Sequence, residues 1–189
     1  MRALVIYESM YGNTHTVAQD VGAGLAEGGA TTVEVLPVGD ATAVRLEGAA
    51  LVVVGGPTHI PGMTTEMSRH QAVTPETLAK EEEKGHHLEV DPDAEGPGLR
   101  DWFDGLAKGQ TAMAAAFDTR MHGPGALTGR ASKGITKRLR HHGFTVVADP
   151  ESFLIGAEGA LDADEPTHAV RWGRDVLTAA ARRTAASAT

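Results

Sequence analysis

Residues 1–14 read MRALVIYESMYGNT, and the expected architecture of the whole chain follows from them. The apolar run from Ala3 to Tyr7 is bounded by a turn, which is typical of a buried parallel strand. Beyond a short polar loop, Val17, Val21 and Leu25 recur every four residues and give a helix one apolar face. The stretch therefore predicts a strand, a loop and a helix in direct succession.

The loop after this strand has the residue types of an anion-binding loop. Ser9 and Thr14 supply hydroxyl donors, and Gly12 lets the backbone come close to a ligand. Asn13 is the only asparagine in the chain, and asparagine tolerates left-handed turn geometry. Because no Lys or Arg lies between residues 2 and 45, neutral donors would have to bind a phosphate. The alternative is a polar turn that only caps the helix.

Residues 9–14, SMYGNT, resemble the phosphate-binding loop of flavodoxins, which has the form Thr/Ser-x-Thr-Gly-x-Thr. Tyr11 replaces the middle threonine of that motif. The resemblance implies that FMN binds with its phosphate in this loop. The loop is not a Walker sequence, which needs GxxxxGK[ST].

Further strands follow the first one along the chain. They are expected at Thr31 to Leu36, Ala49 to Val54 and Thr111 to Phe117, with a last strand in two parts, Phe144 to Ala148 and Ser152 to Ile155. Five strands that alternate with helices predict a doubly wound parallel sheet with helices on both faces, the flavodoxin-like fold. We expect one domain over residues 1–184 and a frayed tail at 185–189.

The helices can be placed by their caps and apolar spacing. The first should end at Gly28 and Gly29, and Asp40 should cap a short helix that reaches Leu46. Further helices are expected near residues 97–106, from Arg130 to His142, and after Asp162 to Asp164; Trp102 and Trp172 fall at core spacing in two of them.

Residues 64–96 interrupt the alternation and are interpreted as a polar insertion. One helix is expected inside it, from Glu76 to Lys84, because Pro75 suits a helix start. Since the segment carries little apolar surface, we expect that it can be replaced without loss of fold or cofactor.

Three polar turns, at residues 8–14, 55–62 and 118–129, should meet at the carboxyl edge of the sheet, where ligands of such sheets bind. The resemblance implies that the second and third turns hold the isoalloxazine ring. The cofactor contacts it implies are Ser9, Met10, Tyr11, Gly12, Asn13, Thr14, Pro57, Thr58, His59, Ile60, Phe117, Asp118, Thr119, Arg120, His122 and Gly123.

The second and third turns lack the Trp and Tyr that many flavodoxins place beside the ring. His59 is either a ring contact or an exposed loop residue. Arg120 and His122 either face the reduced flavin or a nicotinamide phosphate, or lie in a solvated loop. Asp118 is expected to bond the backbone of its own loop.

The composition argues against several classes of function. The formal net charge is -8, which argues against nucleic acid as a partner, and there is no cysteine for disulfide, thiolate or Fe–S chemistry. The pairs His86-His87 and His141-His142 lack companion ligands at helical spacing, so no metal is expected. No apolar run approaches a membrane span, and the first strand starts at once, which favours a cytoplasmic protein.

Charge is unevenly distributed along the chain. Residues 64–110 carry 11 acids and 5 bases, whereas residues 118–142 carry one acid and six bases. This indicates either two solvated faces or a dipole that orients a docking partner.

Three functions remain open. The first is an electron carrier between a reductase and an acceptor protein. The second is an NAD(P)H:quinone oxidoreductase of the same superfamily, and the third is a binding module that has kept the fold without flavin.

Overall fold

The computed structural model describes residues 1–59, 62–123 and 129–187. Its strands are β1 Arg2–Tyr7, β2 Thr32–Pro37, β3 Leu51–His59, β4 Gly62–Met63, β5 Met113–Met121, β6 Thr145–Val146 and β7 Glu151–Ile155. Its helices are α1 Asn13–Glu27, α2 Ala43–Leu46, α3 Glu66–Ala72, α4 Pro75–Glu83, α5 Leu99–Gly105, α6 Ala131–His141 and α7 Glu165–Ser187.

The predicted doubly wound sheet is confirmed. Its parallel strands lie in the order β2-β1-β3-β5, and both β6 and β7 pair with the outer side of β5. The last strand is therefore in two parts, as the Asp149-Pro150 break predicts. The short strand β4 is an antiparallel addition to the end of β3.

Helices cover both faces because side chains alternate along each strand. Ala3 and Val5 of β1 pack in one cluster with α1 and α7, whereas Leu4 and Ile6 pack in a second cluster with α5 and α6. Trp172 belongs to the first cluster, and Trp102 packs against the second while its indole N–H donates to the Ala41 carbonyl at 2.7 Å. Both tryptophans thus have the core role that their spacing predicts.

Two strands are longer than the sequence predicts. The segment expected to be a turn from residue 55 continues β3 to His59, and the segment expected to be a loop from Asp118 continues β5 to Met121. The reason is pairing: Gly56 lies opposite Asp118 and Pro57 opposite Thr119, so each strand keeps the other extended. This pairing carries both strand ends beyond the end of β1.

Several helix boundaries also need correction. Thr42, rather than Asp40, caps α2, because residues 38–40 form a separate 3₁₀ turn. The segment 64–96 contains two helices instead of one, since Thr65 and Ser68 form a reciprocal cap that starts α3. Helix α7 continues to Ser187, through part of the tail that was expected to fray.

No helix within the described residues is both long and apolar enough to cross a membrane.

Candidate functional site

The ends of β1, β3 and β5 meet at one edge of the sheet and open into a cavity of about 330 Å³. Most residues predicted to contact a cofactor lie in its wall. Those that line it are Met10, Tyr11, Asn13, Thr14, Pro57, Thr58, His59, Thr119 and Arg120.

The first loop leads into helix α1 through a left-handed residue. That residue is Gly12, with φ 80°, whereas Asn13 already belongs to the helix. The Ser9 hydroxyl accepts a hydrogen bond from the Gly12 N–H at 3.1 Å. Among the described residues no side chain caps α1, so its first N–H groups remain available to an anion.

Two long-range hydrogen bonds fix the loop to the rest of the edge. The hydroxyls of Thr14 and Thr119 lie 2.7 Å apart, and both side chains are almost fully buried. Asn13 Nδ2 donates to the Gly159 carbonyl at 2.7 Å, which joins α1 to the connection between β7 and α7. The loop is thus held in place by contacts that do not require a ligand.

The strand before the loop ends in a buried carboxylate that the sequence did not single out. Glu8 accepts hydrogen bonds from the Thr64 hydroxyl and, at 2.7 Å, from the Leu99 backbone N–H. Only 5% of the residue is exposed. Glu8 therefore links the end of β1 to Thr64, at the start of the segment 64–96, and to the first residue of α5, which follows the segment.

His59 and Arg120 are the ionisable residues that β3 and β5 contribute to the cavity wall. Burial lowers the pKa of His59 below its ordinary value, and the negative charge of Glu8 opposes this only in part. The Arg120 guanidinium donates to the Gly123 carbonyl at 2.9 Å, but its buried Nε has no partner among the described residues. A neutral imidazole and an incompletely bonded guanidinium therefore face the space between the ends of β3 and β5.

Some predicted site residues do not line the cavity. Phe117 is completely buried in the core, where it packs against Phe153 and Trp172, so only its backbone is near the edge. Ser9, Gly12, Asp118, His122 and Gly123 also lie outside the wall, and Ile60 lies outside the described residues.

Asp118 has a different role from the one expected. It lies inside β5 and is fully buried, and its Oδ2 accepts from the Thr58 hydroxyl at 3.0 Å and the Ser132 N–H at 2.9 Å. The expected bond to its own loop is wrong because the carboxylate reaches the first turn of α6 instead. His122 does not line the cavity, and its Nε2 lies 2.6 Å from Asp162 Oδ2.

The segment 64–96 supplies part of the wall, which the sequence did not predict. Tyr11 donates to the Ala72 carbonyl at 2.7 Å, and Met10 packs in a small cluster with Ala72 and Ala94. The few apolar residues of the segment thus pack against the first loop. The wall residues that were missed are Thr77, Glu81, His86 and Leu88 of this segment, with Met121, Ile155 and Gly159 from elsewhere.

Replacing residues 66–95 by a short Gly/Ser linker should preserve the fold but weaken binding in the cavity. None of these residues belongs to the two main core clusters, whereas four of the segment's residues line the cavity. Circular dichroism and FMN titration of the shortened protein would test both parts. An unfolded product, or unchanged FMN affinity, would contradict this expectation.

Comparisons with known proteins agree with this geometry. The Flavodoxin family model matches residues 5–173. No curated protein matches the chain in sequence.

The fold is similar to those of solved flavodoxins. A flavodoxin from the domain Archaea is 22% identical with a TM-score of 0.60, and the match covers 95% of this chain and 99% of that one. Flavodoxin 1 from Bacillus cereus is 14% identical with a TM-score of 0.59 over 94% and 98% of the two chains. The flavodoxin-like, WrbA-like protein from Agrobacterium tumefaciens is 15% identical with a TM-score of 0.59 over 96% and 98%. Since the family model spans nearly the whole described sheet, this chain belongs to the flavodoxin family.

Proposed function

We propose that this protein binds FMN at the carboxyl edge of its sheet and passes electrons between a reductase and an acceptor protein. The observation that carries the proposal is one cavity that joins the uncapped start of α1 to the ends of β3 and β5. Family membership implies a flavin, and FMN is the flavin that has a terminal phosphate for such a helix start.

The residues present fit such a group. Gly12 has no heavy atom within 4 Å of the position that a Cβ would occupy, so the backbone of the loop is open to close approach. The hydroxyls of Ser9 and Thr14 lie in the same loop and can donate to phosphate oxygens. At the other end, Arg120 has a buried donor that lacks a partner in the described part of the chain.

When bound, FMN would supply the redox chemistry, while the protein supplies binding, orientation and electrostatics. The phosphate would lie against residues 9–14, and the ring would lie between Thr58–His59 and Thr119–Met121. Thr14 and Thr119, both almost fully buried, would form the inner wall of the site. Arg120 would stabilise negative charge on the reduced ring.

One observation favours a second function, NAD(P)H:quinone oxidoreductase. The described residues at the ends of β3 and β5 that line the cavity include no tryptophan or tyrosine. A ring without aromatic neighbours on these strands has a face on which a quinone could stack.

Two measurements on the purified protein test these proposals. A yellow protein with a flavin absorbance spectrum, either as purified or after addition of FMN, is expected; a colourless protein that does not bind FMN would refute the first proposal. Steady-state oxidation of NADH or NADPH with a soluble quinone then separates the functions, because a carrier should turn over slowly without its reductase. Rapid turnover would favour the quinone reductase.

His59 should make the flavin midpoint potential depend on pH. A protonated His59 would attract the anionic reduced ring. Burial lowers the pKa of His59 below the ordinary histidine value of about 6.5, so this protonation occurs only at lower pH. The wild type should therefore have a higher midpoint potential than His59→Gln at low pH, and the difference should vanish as the pH rises above about 6.5. Spectroelectrochemical titration at several pH values measures this difference.

His122→Gln is the matched control, because His122 pairs with Asp162 outside the cavity wall. Its potential should follow that of the wild type throughout. Parallel curves for His59→Gln and the wild type would show that His59 does not interact with the ring.

A further inference from the structure

The outer face of α6 is basic along its whole length. Residues 130–141 include five Lys and Arg residues and no acidic residue. Lys133, Lys137, Arg140 and His141 are exposed. At about 1.5 Å per residue, this face extends over roughly 15 Å. It is therefore much larger than the contact area of a small anion.

A second, shallow cavity of about 440 Å³ lies beside this face. In the described ranges, each ionisable residue that lines it is a lysine, an arginine or a histidine, and none is acidic. Its wall consists of Arg100, Arg130, Lys137, Arg138 and His141 together with Gly62, Met63 and Gly134.

The charge in this cavity is mostly uncompensated. Arg100 donates to the carbonyls of Met63 and Thr64, and Arg130 donates to the Pro150 carbonyl and the Ser152 hydroxyl. These partners are neutral. In the described part of the chain, Arg138 is the one lining residue with a carboxylate partner, Asp104 at 2.7 Å.

The basic surface begins next to the ring end of the candidate flavin site. The Ala131 N–H at the start of α6 donates to the Thr58 hydroxyl at 2.9 Å, and Thr58 lines the first cavity. Gly62, which lines the basic cavity, pairs with His59, which lines the first. The paired ends of β3 and β4 therefore lie between the two cavities.

We infer that this basic surface docks the acidic surface of a redox partner protein beside the flavin ring. The inference rests on the proposed electron-transfer function and names the charge of the partner. The net charge of the protein is -8, so attraction of an acidic partner has to come from this local patch. Screening within about 8 Å at physiological salt allows such a patch to act separately from the distant acidic surface.

Ferricyanide, a small anionic oxidant, tests the sign of the local field. Each ferricyanide takes one electron from the dithionite-reduced flavoprotein and becomes ferrocyanide. If the basic patch governs the encounter, the stopped-flow rate constant should fall as salt is added. If the net charge of -8 governs it, the rate constant should rise with salt, which would overturn the inference.

Charge reversal at one lysine gives a matched comparison. Lys137→Glu should lower the low-salt rate constant roughly threefold to tenfold. Lys108→Glu is the control, because it makes the same change in net charge at an exposed residue. Lys108 precedes β5 and so lies at the amino edge of the sheet, opposite the carboxyl edge that holds the cavity. This control should behave like the wild type, and equal effects of the two variants would contradict the inference.

A binding measurement that needs no flavin completes the test. A fluorescein-labelled oligoglutamate peptide, followed by anisotropy at low salt, should bind the wild type and Lys108→Glu but bind Lys137→Glu at least about threefold more weakly. Equal binding to all three proteins would overturn the docking role. So would displacement of the labelled peptide by inorganic pyrophosphate at concentrations at which the unlabelled peptide does not displace it. A colourless protein that still binds the peptide would refute only the flavin function.

Discussion

Replacing Ser9 and Thr14 together by Ala should weaken FMN binding about a hundredfold or more while changing riboflavin binding far less. Each hydroxyl can donate a hydrogen bond to a charged phosphate oxygen, and such bonds contribute about 1.5–3 kcal/mol each. Two of them contribute roughly 3–6 kcal/mol, which corresponds to a factor of about 10²–10⁴ in the dissociation constant. Riboflavin has no phosphate, so its affinity reports any general damage to the cavity. Fluorescence titration with both flavins measures the two losses.

The control for this variant is Thr119→Val. The hydroxyls of Thr14 and Thr119 contact each other at 2.7 Å, so removal of either one breaks the link between the first loop and β5. Thr119→Val breaks the link but leaves the Thr14 hydroxyl free to donate to phosphate. FMN affinity should therefore be better preserved in Thr119→Val than in the double variant. Equal losses of FMN and riboflavin in the double variant would refute a phosphate site at residues 9–14.

The sequence was sufficient to predict the structural features that depend on the local spacing of apolar residues. The run Ala3 to Tyr7 and the apolar repeat at Val17, Val21 and Leu25 correctly place the first strand and helix on the two sides of the loop. Nine of the predicted contact residues line one cavity because parallel strands place the loops after them at the same edge.

Features that depend on distant partners were not predictable in this way. Glu8 has no motif of its own in the sequence, yet it accepts a hydrogen bond from the N–H of Leu99, which is 91 positions away. Asn13 bonds Gly159 across 146 positions. The wall residues from 77–88 lie in a segment whose polar composition indicates solvent exposure, and only the folded arrangement brings them over the first loop. A single sequence has no local signal for such pairs.

The extension of β3 and β5 shows how tertiary pairing overrides local turn chemistry. Gly55, Gly56 and Pro57 together favour a turn, but they lie opposite Phe117, Asp118 and Thr119 in a parallel ladder. The consequence for the site is direct: Thr58 and Thr119 are held by strands rather than by loops, and strand residues are positioned more rigidly than loop residues. The sites proposed for the flavin ring and for the phosphate thus differ in their support, since strands would hold the first and a loop the second.

Gly24→Ala should destabilise the protein by about 3 kcal/mol, because α1 and α7 cross at this residue with their backbones in contact. A Cβ at Gly24 would lie 2.0 Å from the Val170 carbonyl oxygen, and a Cβ at Gly173 on the facing helix would lie 2.4 Å from the Val21 carbonyl oxygen. Neither obstacle is a flexible side chain, so the helices would have to separate. For a chain of this size the melting temperature should fall by roughly 6–12 °C, as measured by circular dichroism without FMN.

Gly105→Ala is the same chemical change in α5, where a Cβ would meet no heavy atom within 4 Å. Since Ala is favoured over Gly in a helix by about 0.5–1 kcal/mol, this variant should be as stable as the wild type or slightly more so. Equal stability of the two variants would show that α1 and α7 can separate without cost. If the contact is tight, the displacement of α1 in Gly24→Ala should also weaken FMN binding, because residues 9–14, where we propose that the phosphate binds, directly precede this helix. The crossing of α1 and α7 would then support the cofactor site from the far end of the helix.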